Sequence, residues 1–178
     1  MRALHRLRYT RAPHPPHADM ILPRYHIAAS AIAGAGKGLF LDEAVAAGRI
    51  LTAPDGIEQT YRQADIEASD ALRSLWHASA RWFEDRYTLS PEWPDECFIN
   101  HSFTPNGLWH LGFVFALADL PAGSEITVDY RHLLPPGQAE DFVDAATGET
   151  ITGLSWQESL VSSTRALAEL LVPARSGS

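Results

Sequence analysis

The residues of this chain best suited to chemistry gather in one short run, Phe98-Ile99-Asn100-His101-Ser102-Phe103-Thr104-Pro105-Asn106. A hydroxyl beside an imidazole suggests a hydrolase. Yet Ser102 and His101 are consecutive, and neighbours in an extended segment point to opposite faces, so they do not form a nucleophile–base pair. The Gly-x-Ser-x-Gly elbow that would present such a serine is missing from the sequence. His110 and His132 have no ligand-like spacing with His101, which disfavours a metal site. Glu125 and Asp129 lie an even number of positions apart and could share one face of a strand. That makes them a candidate acid pair for glycoside hydrolysis, although nothing else points to a sugar site. The plainest alternative for Asn100-His101-Ser102 is a polar loop that bonds backbone groups.

A second segment, Gly34-Ala35-Gly36-Lys37-Gly38-Leu39-Phe40, alternates glycines, which lets backbone approach a ligand closely. It is not a phosphate loop of the Walker type, because position 31 is alanine and Gly38 follows Lys37. It is not the dinucleotide fingerprint either. The third glycine comes one residue early, and Leu39-Phe40-Leu41 continues as a strand. On chemistry alone, a plain turn serves equally well. The third segment, Leu120-Pro121-Ala122-Gly123-Ser124-Glu125-Ile126-Thr127-Val128-Asp129-Tyr130, ends on an aromatic whose ordinary role at a strand end is core packing.

In this order the three segments resemble the SET-domain protein-lysine methyltransferases, over roughly positions 27 to 131. The resemblance implies a mostly β fold with a helical insert. It is the SET (β-clip-like) arrangement of short curved sheets, with a pseudoknot near its C-terminal end and a further C-terminal helix. It implies S-adenosylmethionine as cofactor, with main-chain contacts from Gly34, Ala35, Gly36, Lys37 and Gly38. It assigns the cofactor's amino-acid end to Asn100, its adenine ring to the His101 main chain, and catalysis to Tyr130. Asn106 is expected to pin a turn. Trp109 and Val128 are expected in the substrate channel, where Val128 leaves room for more than one methyl group. Tyr87 is a looser channel candidate. Many relatives carry a zinc-binding cysteine where this chain has Phe103, and no cysteine follows it, so no metal is expected. The stretch from Phe142 to Leu171, with Phe142 and Trp156 as apolar wall, is the candidate to close the channel instead. Two alternatives stay open: a SET-like interaction module with weak or no catalysis, and methyl transfer to an acceptor other than lysine.

Positioning these residues requires a scaffold of short strands. Strands are expected at Tyr25–Ala29, Leu39–Leu41, Arg49–Leu51, Cys97–Ile99, Leu111–Ala118 and Glu125–Tyr130, with turns at Pro54-Asp55-Gly56 and Leu120–Gly123. Thr60 with Gln63 reads as a capping box. It opens a helical stretch through Arg86 that carries Ile66, Leu72, Leu75, Trp76, Trp82 and Phe83, with a break at Ser69-Asp70. A turn at Thr147–Glu149 and a strand at Thr150–Thr152 follow Pro135-Pro136-Gly137. Ser155 with Glu158 caps a last helix, whose Leu160, Thr164, Leu167 and Leu171 share one face. The domain organisation is therefore a tail or mis-assigned start at 1–19, a SET domain at 20–134, and an extension at 135–178.

Bulk composition fits this reading. The chain has 178 residues, 14 basic and 22 acidic, for a net charge of −8. It lacks the basic footprint of a nucleic-acid binder, and an acidic surface suits a basic polypeptide substrate. No apolar run is long enough to span a bilayer. Cys97 is the single cysteine, so no internal disulfide can form, and a reducing cytoplasm is the expected compartment. His14 and His17 lie in a proline-broken N-terminal stretch that makes a poor metal site.

Overall fold

The computed structural model describes residues 20–54, 57, 59–91 and 93–172. The expected tail at 1–19 and the Asp55-Gly56 turn lie outside the described residues. The chain opens with β1 (Tyr25–Ala29) and β2 (Lys37–Leu41), paired antiparallel with Ala29 opposite Lys37. Ser30 N–H donates to Gly36 O at 3.0 Å and closes the glycine turn. Gly34 and Gly36 have φ of +83° and +74°, a region that residues with a Cβ enter only at a cost. β3 (Ile50–Thr52) follows.

The next stretch departs from expectation. It comprises β4 (Tyr61–Arg62), two short helices α1 (Gln63–Glu67) and α2 (Asp70–Arg73), a single 3-10 turn at Trp76–Ala78, and a hairpin of β5 (Ser79–Phe83) with β6 (Arg86–Leu89). The break at Ser69-Asp70 exists, and Ser69 caps α2 by accepting from Leu72 N–H. Thr60 caps nothing, because α1 starts after Arg62 with no side-chain cap. The apolar spacing that suggested a helix through Arg86 is overridden by tertiary packing. Across the hairpin Arg81 faces Tyr87, and both are almost fully buried. Trp82 lies over Gly112, where any Cβ would overlap its ring.

After a 3-10 turn at Asp95–Phe98, which replaces the strand expected at Cys97–Ile99, comes β7 (Asn100–His101). β8 (Gly107–His110) and β9 (Phe113–Ala116) form a hairpin; β9 lies within the strand expected at Leu111–Ala118, and β8 was not expected. Its turn is Leu111-Gly112, both at positive φ. The β3-β9-β8 sheet holds β9 at its centre. β10 is only Thr127–Val128, and Tyr130 already begins a 3-10 turn. β10 runs parallel to β7, with Thr127 beside Asn100 and Val128 beside His101. Parallel neighbours need a long connection. Here the β8–β9 hairpin supplies it, and the later segment returns across the Asn-His stretch. Leu39, Leu41, Leu51, Val114 and Ile126 pack inside this arrangement at 1% exposure or less. Each such side chain contributes about 1.5–3 kcal/mol.

β11 (Ala139–Val143) and β12 (Thr150–Thr152) make a final hairpin before α3 (Trp156–Leu171). Phe142 is therefore in a strand, and the helix begins only at Trp156. The Ser155–Glu158 capping box is formed in both directions. The buried residues of α3 are Ser159 and Ser163, whereas Thr164 and Leu171 are exposed, so the face expected to dock is rotated. His132 Nδ1 meets Ser159 Oγ at 2.8 Å and His110 Nδ1 meets Ser163 Oγ at 2.9 Å. Burial lowers the pKa of both histidines below the ordinary 6.5. Arg81 joins three segments by donating to His132 O and to Leu154 O, the latter at 2.9 Å. Among the described residues no helix is long and apolar enough to cross a membrane.

Candidate functional site

The three sequence segments meet around one cleft of about 1480 Å³. Gly34, Ala35 and Lys37 line it from the glycine turn, Asn100 and His101 from β7, and Trp109, Val128 and Tyr130 from the segments beyond. Gly36 and Gly38 do not line it. Gly36 is used in the turn itself. Gly38 makes room for Glu125: a Cβ there would overlap the carboxylate oxygen Oε1 and lie 2.7 Å from Cδ.

Glu125 is the keystone of the turn. Its carboxylate accepts from Ser30 Oγ at 2.6 Å, Ala31 N–H at 2.9 Å and Asn100 Nδ2 at 2.8 Å. Asp129 instead accepts from Arg131, through Nε and Nη2. Each carboxylate is committed to its own partners, so the pair is not the acid couple that their spacing allows. Asn100 Nδ2 also donates to Lys37 O at 2.9 Å and approaches Ser30 Oγ at 3.3 Å. Lys37 O and the Glu125 carboxylate can only accept, which fixes which end of the amide faces them. Asn100 Oδ1 is turned the other way, and no donor among the described residues reaches it. Asn106 does not pin a local turn. It clamps β10 by donating to Glu125 O at 2.8 Å and accepting Thr127 N–H at 2.9 Å.

Tyr130 packs beside His101, with ring centres 5.4 Å apart. Its backbone N–H donates to His101 Nδ1 at 3.1 Å, and its hydroxyl donates to Ile99 O at 2.8 Å. Burial, with Glu140 adding to it, pushes the phenol pKa well above the usual tyrosine range, so the hydroxyl stays protonated. Phe142 meets the Tyr130 ring edge-on at 6.4 Å, which gives the cleft an apolar wall. Trp156 is not part of that wall. Tyr87 is fully buried against Trp76 and lies outside the cleft. Lys37 is exposed, and its ammonium sits 5.6 Å from the centre of the Phe98 ring.

Phe103 has a defined role. Its ring meets His101 edge-on at 4.7 Å, and the Arg131 guanidinium lies 4.6 Å from its centre. Its N–H donates to Asp144 Oδ2 at 3.3 Å. The segment after β11 thus braces the Asn-His stretch through side chains and backbone. Phe142 stands in the wall where it was expected, whereas Glu125, Arg81 and Asp144 are structurally important residues that the sequence motifs do not single out as site residues. Only Glu125 carried a signal, as part of the strand pattern that ends at Tyr130.

The model of the SET domain matches residues 36–131, over half of the chain. No curated protein matches the chain. The chain belongs to the SET-domain family, whose general activity is methyl transfer, and its short, mostly antiparallel sheets and C-terminal helix fit the fold of that family.

Proposed function

We propose that this SET-domain chain is an S-adenosylmethionine-dependent protein-lysine N-methyltransferase, acting on a protein substrate in the cytoplasm. One observation carries the reading. Asn100 is tied to the glycine turn through Lys37 O, and Tyr130 is tied to His101, on walls of a single cleft. S-adenosylmethionine would supply an electrophilic methyl group on a sulfonium. The free Asn100 Oδ1 suits the ammonium of its amino-acid end, and the main chain of Gly34, Ala35 and Lys37 is at hand on the same wall. His101 main chain takes the adenine side.

The acceptor must be an uncharged amine. Lysine has a pKa of about 10.4, so freeing the amine at pH 7 costs about 4.6 kcal/mol. Phe98, Trp109, Val128 and Phe142 give the cleft apolar walls that disfavour an ammonium. Tyr130 is not the base, because its phenol is held protonated. Its hydrogen is committed to Ile99 O, so its lone pairs remain to accept from the amine N–H and to make weak C–H···O contacts to a methyl group. Alignment of the two reactants contributes much of the rate. Val128, without a hydroxyl or an aromatic ring, leaves room for more than one methyl group. The net charge of −8 favours a basic polypeptide, and salt weakens that attraction.

The test is incubation of a lysate with methyl-labelled S-adenosylmethionine and the protein, followed by peptide mass spectrometry. Label on lysine Nζ supports the reading. Label confined to other acceptors refutes lysine specificity, and no incorporation at all favours an interaction module.

A further inference from the structure

His101 presents an unsolved pairing. Its side chain is 3% exposed, and Nε2 is buried without a hydrogen-bond partner. Nδ1 accepts the Tyr130 N–H, so in a neutral ring the proton must sit on Nε2. An orphaned donor of that kind costs about 1–3 kcal/mol. The Val128 carbonyl, which accepts Ser102 N–H at 3.0 Å and keeps a second lone pair, approaches the ring but completes no bond with Nε2. The group that Nε2 does face is Asp144 Oδ2, at 3.7 Å, on a side chain equally buried.

Asp144 is held rigidly. Its Oδ1 accepts from Ala146 N–H at 3.1 Å and Thr147 N–H at 2.7 Å, and its Oδ2 accepts from Phe103 N–H at 3.3 Å. Burial alone would raise its pKa, but these donors outweigh that and keep it low, so the carboxylate is charged. A closure of under an ångström would bring the gap to the usual N–H···O distance of about 2.9 Å. Catalytic contacts are commonly long until the site is filled.

We propose that Asp144 is a positioning residue of the methyl-transfer site: its carboxylate holds His101 in the Nε2–H tautomer, so that Nδ1 fixes the backbone of Tyr130. The chain of contacts runs from the loop after β11 through Asp144, His101 and the Tyr130 N–H to the phenol. In this way the extension beyond the matched domain reaches the reacting centre without touching substrate. The catalytic consequence rests on the function proposed above, whereas the tautomer does not.

The experiment is nitrogen-15 NMR of the full chain with labelled histidine, with His101→Gln used to assign the resonance. Wild type is expected to show the Nε2–H tautomer at His101. In Asp144→Asn an amide donor replaces Oδ2, and the tautomer is expected to shift or mix. Turnover is expected to fall ten- to hundredfold in kcat, about what a sub-ångström misplacement costs, with KM for the peptide little changed. An Nδ1–H tautomer in wild type overturns the proposal without any variant. So does an unchanged His101 signal in folded Asp144→Asn, or an unchanged kcat. A tautomer that responds in a protein transferring no methyl to lysine upholds the positioning and refutes only the lysine methyltransferase reading.

Discussion

Substituting Gly38 by alanine should disable the site through Glu125 and not through the backbone. Gly38 is not at positive φ, so alanine costs nothing in conformation there. The new methyl would occupy the place of the Glu125 carboxylate, which three donors hold at 2.6–2.9 Å. To make room, the carboxylate must leave them. Hydrogen bonds to a charged group are worth about 1.5–3 kcal/mol each when well buried. Glu125 is half-buried, so we take less than that range, about 1 kcal/mol per bond and about 3 kcal/mol in total. For a chain of this length that lowers Tm by about 6–12 °C. Asn100 loses an anchor at the same time, so cofactor affinity should fall as well. The control is Gly34→Ala. Gly34 has φ of +83° and open space around it, so only backbone strain of about 1–2 kcal/mol applies. The decisive assay is a double-mutant cycle by calorimetry and urea melts. Once Glu125→Ala has removed the carboxylate, Gly38→Ala should add almost nothing. Additive losses, or a Gly38→Ala protein as stable as wild type, would refute the steric argument.

Other outcomes follow from the same structure. Tyr130→Phe should retain cofactor binding, lose about 1 kcal/mol of stability with the Ile99 bond, and lose turnover; normal turnover would remove Tyr130 from the mechanism. Stability should fall with acid because His101, His110 and His132 all have folded pKa values lowered by burial. As pH drops below 6.5 the unfolded chain takes up protons before the folded one. Urea midpoints should therefore be flat above that pH and decline below it, by up to about 1.4 kcal/mol per pH unit for each histidine. A midpoint that rises on acidification would contradict the buried, neutral assignment. Lys37 is the sole lysine of the chain and lines the cleft. S-adenosylmethionine should protect it from an amine-acylating reagent, read by peptide mass spectrometry; unaltered labelling would place the cofactor elsewhere.

The parts of the fold legible in the sequence are those where local chemistry and tertiary demand agree. The glycine turn, the Asn100-His101 stretch and Tyr130 each had an ordinary reading alone and were recognisable only in their order; β7 and β10, paired in parallel, bring two of them together. Ser155 and Glu158 announced α3 because a capping box is satisfied within its own residues. The face that α3 buries was not legible. Two serines dock on His132 and His110, a pairing that an apolar periodicity does not report. The hairpin at Ser79–Leu89 was hidden for a related reason. Trp76, Trp82 and Phe83 fall at helical spacing, whereas the strand is held by pairing with β6 and sets the Trp82 ring against the bare surface of Gly112. The Leu111-Gly112 turn sat inside an apolar run, where its glycine was the one available signal. Gly38 was legible as a required glycine, but its reason, the Glu125 carboxylate, lies far along the chain.

The most direct measurement is a calorimetric titration of S-adenosylmethionine into the wild-type chain and into Asn100→Ala. If the glycine turn and Asn100 form a methyl-donor site, wild type gives a saturable one-site heat and the variant gives a much weaker one. An absence of heat at high micromolar cofactor, or equal affinity in both proteins, would contradict it.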